Sequence, residues 1–143
     1  MTVKAILAVK GGDVVTIDPT SNVGVAARLL AERRIGALVV TGPDKRVVGI
    51  ISERDIVRAF AERGPTVNDT PLTEVMTRKV VTCAPSDTIS SLMERMTAGK
   101  FRHLPVIEQG RLTGVVSIGD VVKHRLHEME SEQAALRDYI QTA

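Results

Sequence analysis

The sequence predicts a mixed α/β (α+β) fold: one β-α-β-β-α unit used twice, the copies packed as a pseudo-twofold pair, with a helical extension at the C-terminus. Two observations carry this. First, residues 14–60 run from VVTIDPTSNV to VVGIISERDIVRAF, and residues 80–125 from VVTCAPSDTI to LTGVVSIGDVVKHR. With one gap near Pro43–Lys45 the copies are identical at Val14/Val80, Val15/Val81, Thr16/Thr82, Pro19/Pro85, Leu38/Leu104, Val40/Val106, Arg46/Arg111, Gly49/Gly114, Ser52/Ser117, Asp55/Asp120 and Val57/Val122. Second, each copy carries a helix-spaced apolar segment followed by two β-branched runs around a turn. A repeat of this length is one supersecondary unit that needs a neighbour to bury its face. The halves are therefore expected to share a core, and the cleft between them is the natural place for a ligand.

Residues 3–9 form a short apolar stretch outside the repeat, expected as a helical turn on the core. After Pro19 the cap residues Thr20, Ser21 and Asn22 precede Val23, Ala26, Ala27 and Leu30, one face of an amphipathic helix. Residues 37–41 and 47–51 read as strands around the turn Gly42-Pro43-Asp44, and a closing helix starts near Glu53. Residues 64–73, rich in Gly, Pro, Asn and Thr, read as the linker. The second copy repeats the order. Ser86, Asp87 and Thr88 precede Ile89, Leu92, Met93 and Met96, strands are expected at 103–107 and 112–116 around Gln109-Gly110, and a helix starts near Ile118. That helix continues to about Thr142. Val122, Leu126, Met129, Gln133, Leu136 and Ile140 follow alternating steps of four and three, a heptad seam with one polar member. Val122 and Leu126 can instead cover their own sheet, but beyond Met129 the seam needs a partner, most simply a second copy of the chain. The chain is expected to divide into residues 1–66, 67–126 and 127–143.

Composition narrows the function. A chain of 143 residues with 43% apolar and 25% charged residues has ordinary globular composition. No apolar run reaches the roughly 20 residues that span a bilayer, and no signal-peptide pattern opens the chain, so no membrane partner is expected. The single Cys83 fits a reducing compartment, and we expect a cytoplasmic protein. A net charge of +2 argues against nucleic acid, and with only Phe60, Phe101 and Tyr139 aromatic there is no stacking platform. His124, His127 and Glu128 lack a further metal ligand and read as a solvated helix face, so no metal is expected. No Ser-His-Asp set or Walker-type loop is present, so we expect a binding protein rather than an enzyme.

The sharpest local motif is Gly-x-x-Ser-x-x-Asp, at Gly49, Ser52 and Asp55 and again at Gly114, Ser117 and Asp120. At a strand-to-helix corner the Ser and Asp form a capping box. The same corner attracts anions, and its Asp can accept the hydroxyls of a ribose.

These features together resemble a tandem pair of cystathionine β-synthase (CBS) domains, a Bateman module of the stand-alone bacterial type. The likeness covers about residues 3–126 and includes the Phe101-Arg102-His103-Leu104-Pro105-Val106 strand. The resemblance implies an adenine-nucleotide ligand, AMP foremost, with ADP, ATP, S-adenosylmethionine or NAD as alternatives, and output through a change of shape or association. It makes Asp55 and Asp120 ribose anchors, Ser52 and Ser117 polar contacts beside them, and Arg102 and His103 phosphate contacts. Gly36 and Ala37 stand at the latter positions in the first repeat, so the two clefts differ. Arg54, where the second repeat has Gly119, supplies a cation to the first cleft or fills it. The stronger site is then the one with Asp120, its adenine lying near Asp18, Pro19, Gly36 and Ala37. The family also implies a homodimer and an unidentified protein target. The alternatives are a dimerisation module without ligand and, less in keeping with the residues, a nucleotide-hydrolysing enzyme.

Overall fold

The computed structural model describes residues 1–142. Its elements run α1 (Val3–Lys10), β1 (Thr16–Ile17), α2 (Val23–Arg33), β2 (Ala37–Thr41), a 3₁₀ turn (Pro43–Lys45), β3 (Val47–Ser52), α3 (Glu53–Arg63), two further 3₁₀ turns (Gly64–Asp69 and Leu72–Glu74), α4 (Ile89–Gly99), β4 (His103–Glu108), β5 (Arg111–Ser117) and α5 (Ile118–Thr142). The expected order holds except at one strand. Asn22 and Thr88, the last residue of each cap cluster, are the N-caps, accepting from the N–H of Val25 at 2.9 Å and of Ser91 at 3.1 Å.

The two copies match in register. Ala37 pairs with Ser52 as His103 does with Ser117, Val40 with Gly49 as Val106 with Gly114, and an irregularity follows Val40 and Val106 alike. β1 pairs parallel with β2, Ile17 opposite Val40, but in the second copy only the bridge Cys83–Val106 forms. Pro105 explains this difference. Cys83 donates to the Pro105 carbonyl and accepts from Ile107, and the next bond upstream would need the N–H that proline lacks. The first copy has Val39 there. Burial pushes the Cys83 thiol up to about 11, with Asp87 adding to it, so Cys83 serves as a small hydrophobe.

The expected shared core is not what the chain builds. The buried apolar residues form two clusters, and each draws on a segment from outside its own repeat. Val3 and Ile6 of α1 lie in the second cluster with Leu92, Leu104 and Val116. Val67 and Leu72 of the linker, with Met76 just beyond it, lie in the first with Leu30, Leu38 and Ile51. The two covering segments attach identically. Val3 donates to Asp87 at 2.9 Å as Leu72 does to Ser21 at 3.0 Å, and Ile89 donates to Met1 as Val23 does to Thr70. Leu7 packs on Gly114 as Met76 packs on Gly49, where an added Cβ would meet them at 2.7 and 2.6 Å. The stretch read as lying outside the repeat is therefore part of it. The arm before the first repeat covers the second, and the arm before the second covers the first. Chain division near residue 66 and core division do not coincide.

α5 covers its sheet with Val121, which is fully buried. Val122 and Leu126 are 43% and 54% exposed, so they are not the covering residues. Among the described residues no helix is long and apolar enough to cross a membrane.

Because Ile6 is fully buried in the second core, Ile6→Ala should destabilise the whole protein by about 2–5 kcal/mol. Urea unfolding reads this as a lower midpoint. A loss below about 1 kcal/mol would show that α1 is an appendage.

Candidate functional site

Each repeat ends its last strand in the same corner. Asp55 Oδ2 accepts from the Ser52 N–H at 2.9 Å and Oγ at 3.1 Å, while Ser52 Oγ accepts from the Asp55 N–H at 3.3 Å. Asp120 and Ser117 repeat this at 2.9, 3.0 and 3.2 Å. The capping role is thus real at both corners, and it uses one carboxylate oxygen, Oδ2, leaving Oδ1 outside the box. The corner is tied to the start of the preceding strand: Glu53 donates to the Gly36 carbonyl at 3.0 Å and Ile118 to that of Arg102 at 2.8 Å. Gly36-Ala37 and Arg102-His103 therefore flank the two corners in equivalent places.

The corners adjoin through His103. A Cβ on Gly36 would stand 3.2 Å from His103 Cε1, so the imidazole of the second repeat lies on the bare backbone of the first. Burial holds His103 below its ordinary value; Lys10 and Arg102 add to this, while Glu53 and Asp120 oppose it. At neutral pH the ring is uncharged and offers an N–H rather than a cation to a ligand. Arg102 beside it is exposed and is the permanent charge.

The second corner has a feature with no counterpart in the first. Lys10 Nζ donates to Asp120 Oδ2 at 2.7 Å and to the Val115 carbonyl at 2.8 Å. Burial pushes the Asp120 carboxyl up, but the Lys10 and Ser117 hydrogen bonds more than reverse this and hold it below the usual carboxylate range. No cation lies within ion-pair distance of Asp55 among the described residues. Gly119 leaves the second corner open, since a Cβ there would meet only Ser117 Oγ at 3.6 Å, whereas the exposed Arg54 holds that place in the first.

The structure brings Ser117, Asp120, His103 and Gly36 together, with Ala37 following on β2 opposite Ser52. It separates Asp18 and Pro19 from them. Ile17 pairs with Val40, so Asp18 stands beyond the far end of β2, about 16 Å along the strand from Gly36. A purine on Gly36-Ala37 does not reach it. Two hydrogen bonds from Thr20, backbone N–H at 2.8 Å and Oγ1 at 2.7 Å, lower the Asp18 carboxyl and mark it as a turn residue. The parallel register instead carries the residues just before Thr16 toward the Gly36 end of β2. Lys10 is the residue sequence reasoning missed, because the arm carrying it was read as outside the repeat.

Two cavities of about 280 and 350 Å³ lie elsewhere, one beside Arg46 and Arg78, the other between α1 and Pro85, and neither is lined by Ser117, Asp120 or His103. Among the described residues no group of three or more His, Cys, Asp or Glu side chains is arranged to hold a metal ion.

Comparison with known proteins places this architecture. The crystal structure of a CBS-domain containing protein from Agrobacterium tumefaciens superposes with a TM-score of 0.84 at 49% identity, over 87% of this chain and 99% of that one. A CBS domain protein from Pyrobaculum aerophilum, complexed with AMP, superposes with a TM-score of 0.75 at 32% identity, over 84% of this chain and 89% of that one. A mitochondrial CBS domain-containing protein of Arabidopsis thaliana is 37% identical over 120 residues, which are 81% of this chain and 58% of that protein. The chain thus spans well under two thirds of that relative's length. The family model for the CBS domain matches residues 3–62 and again residues 72–127. With the paired repeats, both capped corners and this double match, the chain belongs to the CBS domain family as a tandem pair.

Proposed function

We propose that the protein is a regulatory module that binds an adenine nucleotide at the Asp120 corner and reports by a change of shape or association. AMP is the first candidate, with NAD and ATP as alternatives. The observation that carries this is the Asp120 carboxylate: ionised, fixed by its cap through Oδ2, and open at Oδ1 to the paired hydroxyls of a ribose. The small side chain of Ala37, next to Gly36 with its imidazole neighbour, leaves room for a purine, while Arg102 offers a charge and His103 an N–H to phosphate. The Pyrobaculum relative, complexed with AMP, supports the same ligand class here. The Asp55 corner, with Arg54 in place of Gly119 and small residues in place of Arg102-His103, is the weaker site.

The reading is of a sensor, not an enzyme. The hydroxyl nearest the ligand place, Ser117 Oγ, is engaged with its own cap, and nothing activates it as a nucleophile. A reducing cytoplasm suits the lone Cys83, and the output runs to a protein target or to a second copy of the chain.

The second copy is supported by α5. Leu126, Met129, Leu136 and Ile140 are 54%, 45%, 59% and 65% exposed along one seam. Arg125 and Glu132 flank one side, Lys123, Glu130 and Arg137 the other. In a parallel pair Arg125, which also pairs with Glu128 of its own helix, faces Glu130, and Glu132 faces Arg137, two pairs of opposite charge across the interface.

Two measurements test these readings. A ligand that binds only the folded state adds about 2.7 kcal/mol at a hundredfold excess over its Kd, so thermal melts should rank AMP, ADP, ATP and NAD. Asp120→Asn should weaken the best of them about tenfold or more, and Asp55→Asn less. Equal midpoints with all four favour a structural module, and a larger loss from Asp55→Asn moves the site to the other corner. Light scattering of the full chain at micromolar concentration should give a dimer mass. A monomer mass contradicts the paired seam.

A further inference from the structure

Among the groups around the two corners, Lys10 differs most between them. Its ammonium is placed by the fold rather than by chance contact of a free side chain. Val3 and Ile6 anchor α1 in the second core, Leu7 packs on Gly114, and Gly11, at φ +93°, turns the chain away after Lys10. From there Nζ reaches the Asp120 carboxylate and the Val115 carbonyl. On the other arm Lys79 takes the corresponding place, three residues beyond Met76 as Lys10 is beyond Leu7; both lysines are exposed, but Lys79 enters no ion pair among the described residues.

All three donors to the Asp120 side chain, Ser117 N–H, Ser117 Oγ and Lys10 Nζ, fall on Oδ2. Oδ1 has no protein partner among the described residues. A carboxylate held in this way is fixed in rotation and keeps one oxygen for a ligand. The ammonium uses two of its three protons on Asp120 and Val115, so it is committed to the protein.

We propose that Lys10 is a positioning residue for the ligand site: by pinning Oδ2 it fixes the Asp120 carboxylate and turns Oδ1 toward the ribose, which makes the second corner the competent one. This rests on the reading of that corner as an adenine-nucleotide site. It names a residue from the exchanged arm as part of a site built otherwise from the second repeat and the Gly36 edge of the first.

The electrostatics agree with the geometry. The groups facing Asp120 are Ser117 on its own corner, Lys10 from α1, and His103 from β4, with Arg102 and Glu53 around the imidazole. Burial favours the protonated acid, and Lys10 is the largest influence against it. The folded-state value lies below the unfolded one, so the stability it contributes is present above the ordinary carboxylate range and is lost as pH falls through the lowered value. Without Lys10 that loss moves to higher pH, and binding that needs the carboxylate fails earlier on acidification.

The test uses the full chain with Lys10→Met, which keeps the length of the side chain, and Lys10→Arg, which keeps its charge. Carboxyl NMR titration without ligand reads the Asp120 midpoint. Calorimetry with AMP and with adenosine, which has no phosphate, reads binding across pH. Lys10→Met should raise the Asp120 midpoint, weaken both ligands about tenfold and move the acid limb of binding upward, and Lys10→Arg should largely restore all three. An unchanged Asp120 midpoint overturns the proposal. So does a loss confined to AMP, which would make Lys10 a phosphate contact, or tighter binding, which would make it a competitor for the carboxylate. If the unaltered protein binds neither AMP nor adenosine, the ligand reading fails, and the Asp120 titration still decides whether Lys10 governs that carboxylate.

Discussion

Neither repeat of this chain can close its own core, and the structure depends on the exchange that solves this. Ile6 fills the second core from before the first repeat, and Leu72 fills the first from before the second. Both are fully buried, so detaching either arm opens an apolar face to water, each buried aliphatic side chain being worth about 1.5–3 kcal/mol. The exchange couples the repeats more firmly than a shared surface would. α1 crosses to the far repeat, and Gly49 and Gly114 admit the arms because a side chain there would strike Met76 or Leu7.

The same exchange makes the site. The box of Ser and Asp is common to both corners and would give equal sites if the repeats were equal. They diverge at the places around the proposed ligand: Gly36-Ala37 against Arg102-His103, Arg54 against Gly119, and Lys79 against Lys10. Each difference falls on a different element, yet His103, Gly36 and Lys10 converge on one corner because the arm ends there. Burial lowers the His103 value, and the ring that it holds rests against Gly36 of the other repeat.

Much of this was legible in the sequence. The repeated Val-Val-Thr, Leu-x-Val and Gly-x-x-Ser-x-x-Asp segments gave the units and both corners, and the spacing of Val23, Ala26 and Leu30 gave a helix whose buried face matches. Three things were hidden, each for a physical reason. The arms share almost no residues, since one is an α-helix and the other a 3₁₀ turn, and only their bonding shows them equivalent. The opening strand of the second repeat fails because Pro105 lacks an N–H, a loss that matters only once the parallel partner is known. The family resemblance set Asp18 and Pro19 beside Gly36, but the parallel register carries them to the opposite end of β2.

The central claim is that one nucleotide-binding corner is assembled from both repeats and the exchanged arm. A crystal structure of the protein soaked with AMP tests it most directly. The account predicts ribose hydroxyls on Asp120 Oδ1, the purine against Gly36-Ala37, and Lys10 still on Oδ2. Density for AMP at the Asp55 corner alone, or in the cavity beside Arg46 and Arg78, would contradict it.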